Sequence, residues 1–364
     1  MSLRIGGMGW VTPLGSGVPE VWQRLLHGET AVAERIASPL GERTFSVFPV
    51  PATALVDAPT HPRLRRSSAI SRFAVVAGLA ALKDAGVTLD PETAERTALI
   101  FAISNGGVIY TKRFYHDVVE SGAQAASPLL FPETVFNAPA SHLAAILGIT
   151  GASYTLVGDG AVGVLALKMA EDLMENPMLD RCLVVGAEEA DWLLCDAYHR
   201  WRLLRDEPPI EPFSAKPRGM ILSEGAGAVL LDRTGATRIV KIDAGCNFEH
   251  QRDAAKCVNT VFANLSASDD DIVVASANGT FVDAAEKAAI SRNCANAPVS
   301  TPKAALGESV GASTLWQLIC GVQALRTRQL PCTATAEQGR AFTRAIVSGC
   351  GMNQQVAGLS ISRA

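Results

Sequence analysis

Apolar residues along this chain fall into two kinds of run, short uninterrupted ones and longer ones that repeat with a helical period. Short apolar runs bounded by glycine or polar residues are typical of buried strands, whereas longer periodic runs are typical of helices. Strands are predicted over residues 4–11, 97–103, 181–186, 225–232, 238–244, 271–275 and 356–362. Helices are predicted over residues 18–26, 68–85, 161–174 and 311–325. Strands and helices alternate, which predicts a layered α/β fold.

The chain shows no low-complexity segment and no linker long enough to separate two independent domains. Its most loop-like stretches, residues 51–66 and 206–217, are too short to act as flexible tethers. A faint repetition is visible, since residues 154–167 and residues 300–318 both run from polar positions through a glycine-containing turn into an apolar helix. This repetition alone does not establish a duplication.

Charge and composition exclude several classes of protein. The 364 residues carry a formal net charge of −4. They contain no block rich in lysine or arginine, which argues against nucleic-acid binding. No apolar run reaches the roughly 18 residues that a membrane-spanning helix needs, and no signal-peptide pattern opens the chain. We therefore expect a cytoplasmic protein without a membrane span.

The eight cysteines are scattered, with no C-x-x-C pair among them, and the six histidines do not cluster with them. In a chain of this length they indicate free thiols of a cytoplasmic protein, and we expect no metal site. Cys195 and His199 are spaced to share a helix face. A reactive dyad is conceivable there, but two neighbours on an ordinary helix are the favoured interpretation.

Residues 153–168 predict a strand, a sharp turn and a helix in succession. This segment resembles the nucleophile turn of the β-ketoacyl-acyl carrier protein synthases, whose pattern is T-x-x-T-A-C-A-S-G. Thr155, Ala161 and Gly163 fall on that pattern, and Gly160 then stands at the position of the reactive cysteine. Glycine has no side chain, so the resemblance implies that no covalent acyl intermediate forms there.

Further segments resemble the same family, in the same order along the chain. They are residues 6–15, 183–188, 213–231, 303–312 and 349–353. The most specific is 213–231, which is similar to the family's P-F-D-x-x-R-D-G-F-x-x-G-E-G-A-G segment. The resemblance implies the thiolase-like fold, an α/β fold with two similar βαβαβ-type halves in a layered α-β-α-β-α arrangement. We expect the halves to be residues 1–233 and 234–364, forming one compact unit.

The synthases also use two histidines, and the resemblance aligns these with Asn278 and Glu308. Losing one donor to the developing oxyanion costs about 10²–10³ in rate. Asn278 keeps an amide donor, but the carboxylate of Glu308 puts negative charge where negative charge must develop. Asp159 precedes a helix whose dipole would stabilise it as an anion, and it would repel malonate as well. The resemblance thus implies a degenerate member with no intact catalytic residues and no cofactor, in which condensation by this chain alone is not expected.

Within this family, the chain-length factors lack the cysteine and pair with an active ketosynthase. They shape the tunnel in which an acyl chain grows on an acyl carrier protein. We expect this chain to be a non-catalytic subunit of that kind, in a heterodimer that serves polyketide or fatty-acid-like biosynthesis, although chain-length factors commonly carry glutamine at the cysteine position. The resemblance places Phe131 and Phe136 in the stretch that reaches the partner's pocket. It places Cys350 where the family carries a pocket-gating phenylalanine.

Two alternatives stay open, and with them the question of whether the chain is an enzyme. In the first, the pocket performs altered acyl-thioester chemistry, with Glu308 and Lys303 in acid-base roles. Simple pairing of these two groups is the favoured interpretation of their spacing. In the second, the chain is a homodimer that binds an acyl carrier protein or a lipid without chemistry, through basic residues such as Arg200, Arg202 and Arg205.

Overall fold

The computed structural model describes residues 3–333 and 342–363, where strands and helices alternate as the sequence predicts. The strands are β1 (Arg4–Thr12), β2 (Gly15–Ser16), β3 (Glu34–Ala37), β4 (Thr44–Phe48), β5 (Thr97–Ile103), β6 (Ser153–Val157), β7 (Arg181–Glu188), β8 (Leu222–Ser223), β9 (Gly225–Asp232), β10 (Thr237–Asn247), β11 (Asp271–Val274), β12 (Val299–Ser300), β13 (Arg344–Cys350) and β14 (Gln355–Arg363). The helices are α1 (Val18–Leu26), α2 (Ala69–Asp84), α3 (Pro91–Glu95), α4 (Val108–Ser121), α5 (Ala138–Leu147), α6 (Val162–Leu173), α7 (Trp192–Arg200), α8 (Ala254–Asn264), α9 (Phe281–Asn293), α10 (Lys303–Leu306) and α11 (Val310–Thr327).

One long sheet consists of two half-sheets with the same topology. The strand order is β1-β9-β7-β5-β6 in the first half and β10-β14-β13-β11-β12 in the second. In each half, the strand that comes first in the chain pairs antiparallel with the strand that comes last. The last strand is antiparallel to the next one, and the remaining pairs are parallel. The predicted α/β fold with two similar halves is therefore confirmed, and the faint sequence repetition reflects it, since β6 and β12 occupy equivalent places.

The two half-sheets are joined through a short antiparallel contact between β1 and β10. Arg4 pairs with Arg238 and Ile5 with Thr237. Helices α6 and α11 pack between the halves, in a hydrophobic core to which both half-sheets contribute. Helices α2 and α5 cover the outer face of the first half, and α8 and α9 cover the outer face of the second. These layers give the α-β-α-β-α arrangement.

The helix boundaries follow local chemistry that the sequence shows. Ser68 caps α2, its hydroxyl accepting the N–H of Ser71, and Gly86 follows the helix with a φ of +66°. A left-handed residue of this kind ends a helix at little cost when it is glycine. Helix α11 is buried from Val310 to Val322 on every face, because it lies in the middle layer.

A smaller sheet, β3-β4-β8, lies beside the segment that follows β12 of the large sheet. Its strand β8 is bridged to Glu308, whose backbone N–H donates to the carbonyl of Ile221 at 2.9 Å. This contact fixes the backbone of a residue that the sequence assigned to the site. No helix within residues 3–333 and 342–363 is long and apolar enough to cross a lipid bilayer.

Candidate functional site

The predicted site residues come together at the carboxyl ends of the parallel strands, where ligands bind in α/β sheets. Each lies at or shortly after the end of one strand of either half-sheet. Asp159 and Gly160 follow β6, Ser276 and Asn278 follow β11, Lys303 begins α10 after β12 with Glu308 just beyond that helix, and Cys350 is the last residue of β13. The fold therefore brings together residues that are far apart along the chain.

Lys303 and Glu308 form a fully buried ion pair. Lys303 Nζ lies 2.7 Å from Glu308 Oε2, and the side chains are 2% and 0% exposed. Lys303 also donates to the hydroxyl of Ser276 at 3.0 Å. The structure thus confirms that the two groups pair. The second oxygen of the carboxylate, Glu308 Oε1, is buried and has no hydrogen-bond partner in the described part of the chain.

The side chain of Asn278 is also used internally. Its amide nitrogen donates to Glu308 Oε2 at 2.8 Å, and the sulfurs of Met220 and Met352 lie 3.7 and 3.6 Å from the same nitrogen. Its amide oxygen accepts the hydroxyl of Thr280 at 2.7 Å. Sequence reasoning gave Asn278 a donor with which to polarise a thioester carbonyl. In the structure that donor is directed at a carboxylate instead, so the positions aligned with two catalytic histidines bind each other.

Two carboxyl groups on α9 hold the loop that carries Asn278. Asp283 accepts the backbone N–H groups of Asn278, Gly279 and Phe213 at 2.7–3.0 Å. Glu286 accepts the N–H of Ser276 at 2.8 Å. Burial raises the pKa of Asp283, and it raises the pKa of Glu286 to about 7. The two residues are three positions apart and share one face of α9, but their role as loop anchors depends on contacts that the sequence does not show.

Gly160 lies against the turn that follows β13. A Cβ built on Gly160 would lie 3.1 Å from the Cα of Gly351 and 3.4 Å from the carbonyl oxygen of Cys350. A side chain at this position therefore requires the neighbouring backbone to move by a few tenths of an ångström. With glycine at this position, the turn approaches the start of α6 closely.

Asp159 has hydrogen-bond partners that the sequence did not predict. Its carboxylate accepts the backbone N–H groups of three consecutive residues, Met352, Asn353 and Gln354, at 3.2, 2.7 and 3.1 Å. Successive N–H groups of this kind form an anion-binding nest. The negative charge of Asp159 is directed at the turn between β13 and β14. Stabilisation of the carboxylate by the dipole of α6 stays a prediction.

Apolar side chains cover the buried polar network. Met220, Met352 and Tyr198 belong to one hydrophobic cluster with Val310, which begins α11 next to Glu308. Met220 and Met352 are 0% and 3% exposed. Burial raises the pKa of Tyr198, and the nearby carboxylates of Asp159, Glu188 and Glu308 raise it further. Sequence reasoning missed these three covering residues, because nothing in their local sequence distinguishes them from core residues.

Two more acidic side chains lie at the end of β7. The carboxylate of Glu188 accepts the N–H groups of Ser104 and Asn105. Burial raises the pKa of Glu188 to about 7. Burial, together with the charges of Glu224 and Glu188, raises the pKa of Glu189 to about 8. This end of the site therefore holds carboxyl groups that are partly protonated near neutral pH.

The three residues predicted to line an acyl pocket lie in different surroundings. Phe131 and Phe136 are 57% and 44% exposed on the surface of the chain. The ring of Phe136 rests on Gly106, where an added Cβ would come within 2.4 Å of it. The Cys350 side chain packs in the cluster on the outer face of the second half-sheet. Met352, two residues further on, faces Asn278 instead. A role for these residues in binding an acyl chain stays a prediction.

Other candidate groups have ordinary structural surroundings. Burial raises the pKa of Cys195 to about 12, so its thiol stays protonated at neutral pH, as expected of an ordinary helical neighbour of His199. Arg205 is buried and donates to the carbonyl of Glu207 at 2.7 Å. The prediction that Arg205 belongs to a basic surface is therefore wrong. Arg200 pairs with Asp196. Within residues 3–333 and 342–363, no group of three or more His, Cys, Asp or Glu side chains is placed to hold a metal ion.

Comparison with known families and proteins accords with the fold described above. The profile of the β-ketoacyl synthase N-terminal domain matches residues 2–236, and that of the C-terminal domain matches residues 241–337. Nodulation protein E of Rhizobium leguminosarum bv. trifolii is 25% identical over 354 residues, covering 91% of this chain and 88% of that protein.

Two solved structures show the same fold. The ishigamide ketosynthase/chain length factor is 20% identical, with a TM-score of 0.86 over 100% of this chain and 99% of that one. A ketosynthase in complex with its chain length factor from Xenorhabdus doucetiae is 18% identical, with a TM-score of 0.82 over 100% of this chain and 98% of that one. At these identities the likeness shows the thiolase-like fold, and the family follows from the two profiles.

Proposed function

Because this chain belongs to the β-ketoacyl synthase family, we propose that it is a non-catalytic ketosynthase-like subunit that pairs with an active β-ketoacyl synthase. The observation that carries the proposal is the closed network of Lys303, Glu308 and Asn278 at the positions of the catalytic histidines. The resemblance aligns Gly160, which has no side chain, with the reactive cysteine. Condensation needs a nucleophile and free hydrogen-bond donors, and the network provides neither.

The first half-sheet ends in an exposed edge that supports pairing with another subunit. Strand β6 is the outermost strand of that half, and Tyr154 and Val157 on it are 44% and 53% exposed. Helix α4, which follows the neighbouring strand β5, has no buried residue along its whole described length. An edge strand with exposed apolar side chains is a template for pairing with another chain. We propose that the active synthase covers this edge and brings Phe131 and Phe136 toward its own pocket.

The pathway that we propose is polyketide or fatty-acid-like biosynthesis on an acyl carrier protein, in the cytoplasm. Two of the similar structures are described as ketosynthases with a chain length factor. A subunit with the fold and without the catalytic groups fits that description. The partner would supply the catalytic cysteine and histidines, and this chain would supply residues that line the tunnel in which the acyl chain grows.

The test is to tag this protein in its native host and identify what co-purifies with it in stoichiometric amount. We expect an intact ketosynthase at one to one. A homodimer with no synthase bound would contradict the proposal and would favour the carrier- or lipid-binding alternative. Native mass spectrometry of the purified complex gives the stoichiometry directly.

A second candidate function is altered acyl-thioester chemistry at the same site. The observation that favours it is Glu308 Oε1, a buried carboxylate oxygen with no hydrogen-bond partner among the described residues. Against it, Lys303 and Asn278 both bind the other oxygen of the same group. This function requires thioester turnover by the isolated protein that is lost in Glu308→Gln and retained in a surface control, Glu175→Gln. The subunit proposal predicts no turnover in any of these three proteins.

A further inference from the structure

The turn between β13 and β14 is fastened to the loop that holds Gly160. Asp159 Oδ1 accepts the N–H of Met352, and Oδ2 accepts the N–H groups of Asn353 and Gln354. The backbone N–H of Asp159 in turn donates to the side-chain oxygen of Gln355 at 2.8 Å. Four hydrogen bonds therefore cross between two loops that are far apart along the chain.

The fit between these loops leaves no space for a side chain at Gly351. A Cβ built on Gly351 would lie 1.9 Å from Asp159 Oδ2 and 2.2 Å from its carboxyl carbon. Glycine is thus required for the carboxylate to approach the turn this closely. Asp159 supplies the carboxylate that accepts the hydrogen bonds, and Gly351 leaves the space that the carboxylate occupies.

The contact fixes the position of Met352. The backbone N–H of Met352 is one of the three that Asp159 holds, and its side chain is 3% exposed, with its sulfur 3.6 Å from the amide nitrogen of Asn278. The sulfur of Met220, which precedes strand β8, lies 3.7 Å from the same nitrogen. The two methionines and Tyr198 pack together over the buried network.

We propose that Asp159 is a latch that keeps this turn closed, so that Met352 covers the buried network of Lys303, Glu308 and Asn278 and keeps an acyl chain from reaching it. The inference rests on the proposed function, because a subunit that shapes its partner's tunnel gains nothing from binding an acyl chain at its own buried network. A carboxylate is suited to the role, since hydrogen bonds to a charged acceptor are stronger than those between neutral groups. In Asp159→Asn one oxygen becomes an N–H₂ donor that faces other donors, which weakens the contact.

The test measures how fast hydrogen peroxide oxidises individual methionines in the isolated protein. Oxidation to the sulfoxide requires access to the sulfur, and mass spectrometry of peptides resolves each position. We expect Met352 and Met220 to be oxidised about tenfold faster in Asp159→Asn, because local opening becomes easier. Gly351→Ala, which acts on the other side of the contact, should give the same result.

Internal controls separate a latch from a general stabilising contact. Met8, buried in the central core, should keep its slow rate in both variants, and Met178, which is 64% exposed, should stay fast. Asp172→Asn, on the exposed face of the same helix α6, should change none of these rates. Unchanged rates at Met352 and Met220 in both variants would overturn the latch, and so would an equal acceleration at Met8. Because no partner is present, the result does not depend on whether an active synthase co-purifies.

Discussion

The amine of Lys303 lies 2.7 Å from a carboxylate oxygen of Glu308, with neither side chain exposed by more than 2%. By the resemblance, Glu308 aligns with one of the family's two catalytic histidines. A buried ion pair is costly to break on one side, because the remaining charge is left without compensation in a medium that solvates it poorly. The relationship therefore has consequences for stability as well as for chemistry.

Removing one member of this pair should destabilise the protein strongly. We expect Lys303→Met to lower the free energy of unfolding by about 3–5 kcal/mol, while the double variant Lys303→Met/Glu308→Leu recovers much of the loss. The measurement is denaturant unfolding followed by circular dichroism. Lys168→Met breaks the exposed pair with Asp172 and should cost no more than about 1 kcal/mol. A similar small effect at Lys303 would show that the buried pair contributes little.

Restoring the nucleophile alone should not restore condensation. We expect Gly160→Cys to show no ketoacyl product with an acyl carrier protein and malonyl-carrier protein, because Asn278 and Glu308 remain bound to each other. The new side chain would also press on the backbone of Gly351, 3.1 Å from its Cβ. Product formation is followed by mass spectrometry of the carrier protein. Robust condensation by this single variant would refute our account of the site.

The buried carboxyl groups near β7 should make stability depend on pH. Burial raises the pKa of Glu189 from 4.5 to about 8, so between these values the folded state holds a proton that the unfolded state has lost. The free energy of unfolding therefore falls as pH rises from about 4.5 to about 8. In Glu189→Gln this fall should be smaller, and the exposed control Glu175→Gln should follow the wild type. Unfolding measured at several pH values shows whether the two curves diverge.

A charged side chain on the exposed edge strand β6 should weaken association with the partner subunit. We expect Val157→Lys to weaken association with the partner by about tenfold or more, because lysine on an edge strand disfavours pairing with another strand. Val157 is exposed in the single chain, so the melting temperature of the isolated protein should change little. Val240→Lys, on β10, is the matched control, since Val240 is also partly exposed. Sedimentation of the co-expressed proteins measures the outcome, and retained association would exclude this edge as the interface.

Several elements could be predicted from the sequence because their patterns are strong and local. Helix α1 and strand β5 have the bounds that apolar periodicity indicates. Strand β13 was not predicted: its sequence includes Ser348 and Gly349, and its buried character comes from β11 and β14 on either side. Its pattern alone does not distinguish a central strand from a loop.

The site was predictable where it depends on spacing and not where it depends on distant contacts. Lys303 and Glu308 are five residues apart, and their pairing follows from short-range geometry. The partners of Asp159 lie in the turn between β13 and β14, and only the tertiary fold brings that turn to the start of α6. The division of the chain at residue 233 stays a prediction, and so does the heterodimer.

The order of strands has a consequence for how the chain folds. In each half-sheet, the first strand to be synthesised pairs with the last. Strand β1 therefore cannot pair with β9, nor β10 with β14, until the later strand has been synthesised. Contacts between residues so far apart in sequence carry a high loop-closure entropy and slow folding. During translation, β1 therefore stays without its long antiparallel partner until residue 232 has left the ribosome. In the second half, β10 stays without its partner β14 until residue 363 has left the ribosome.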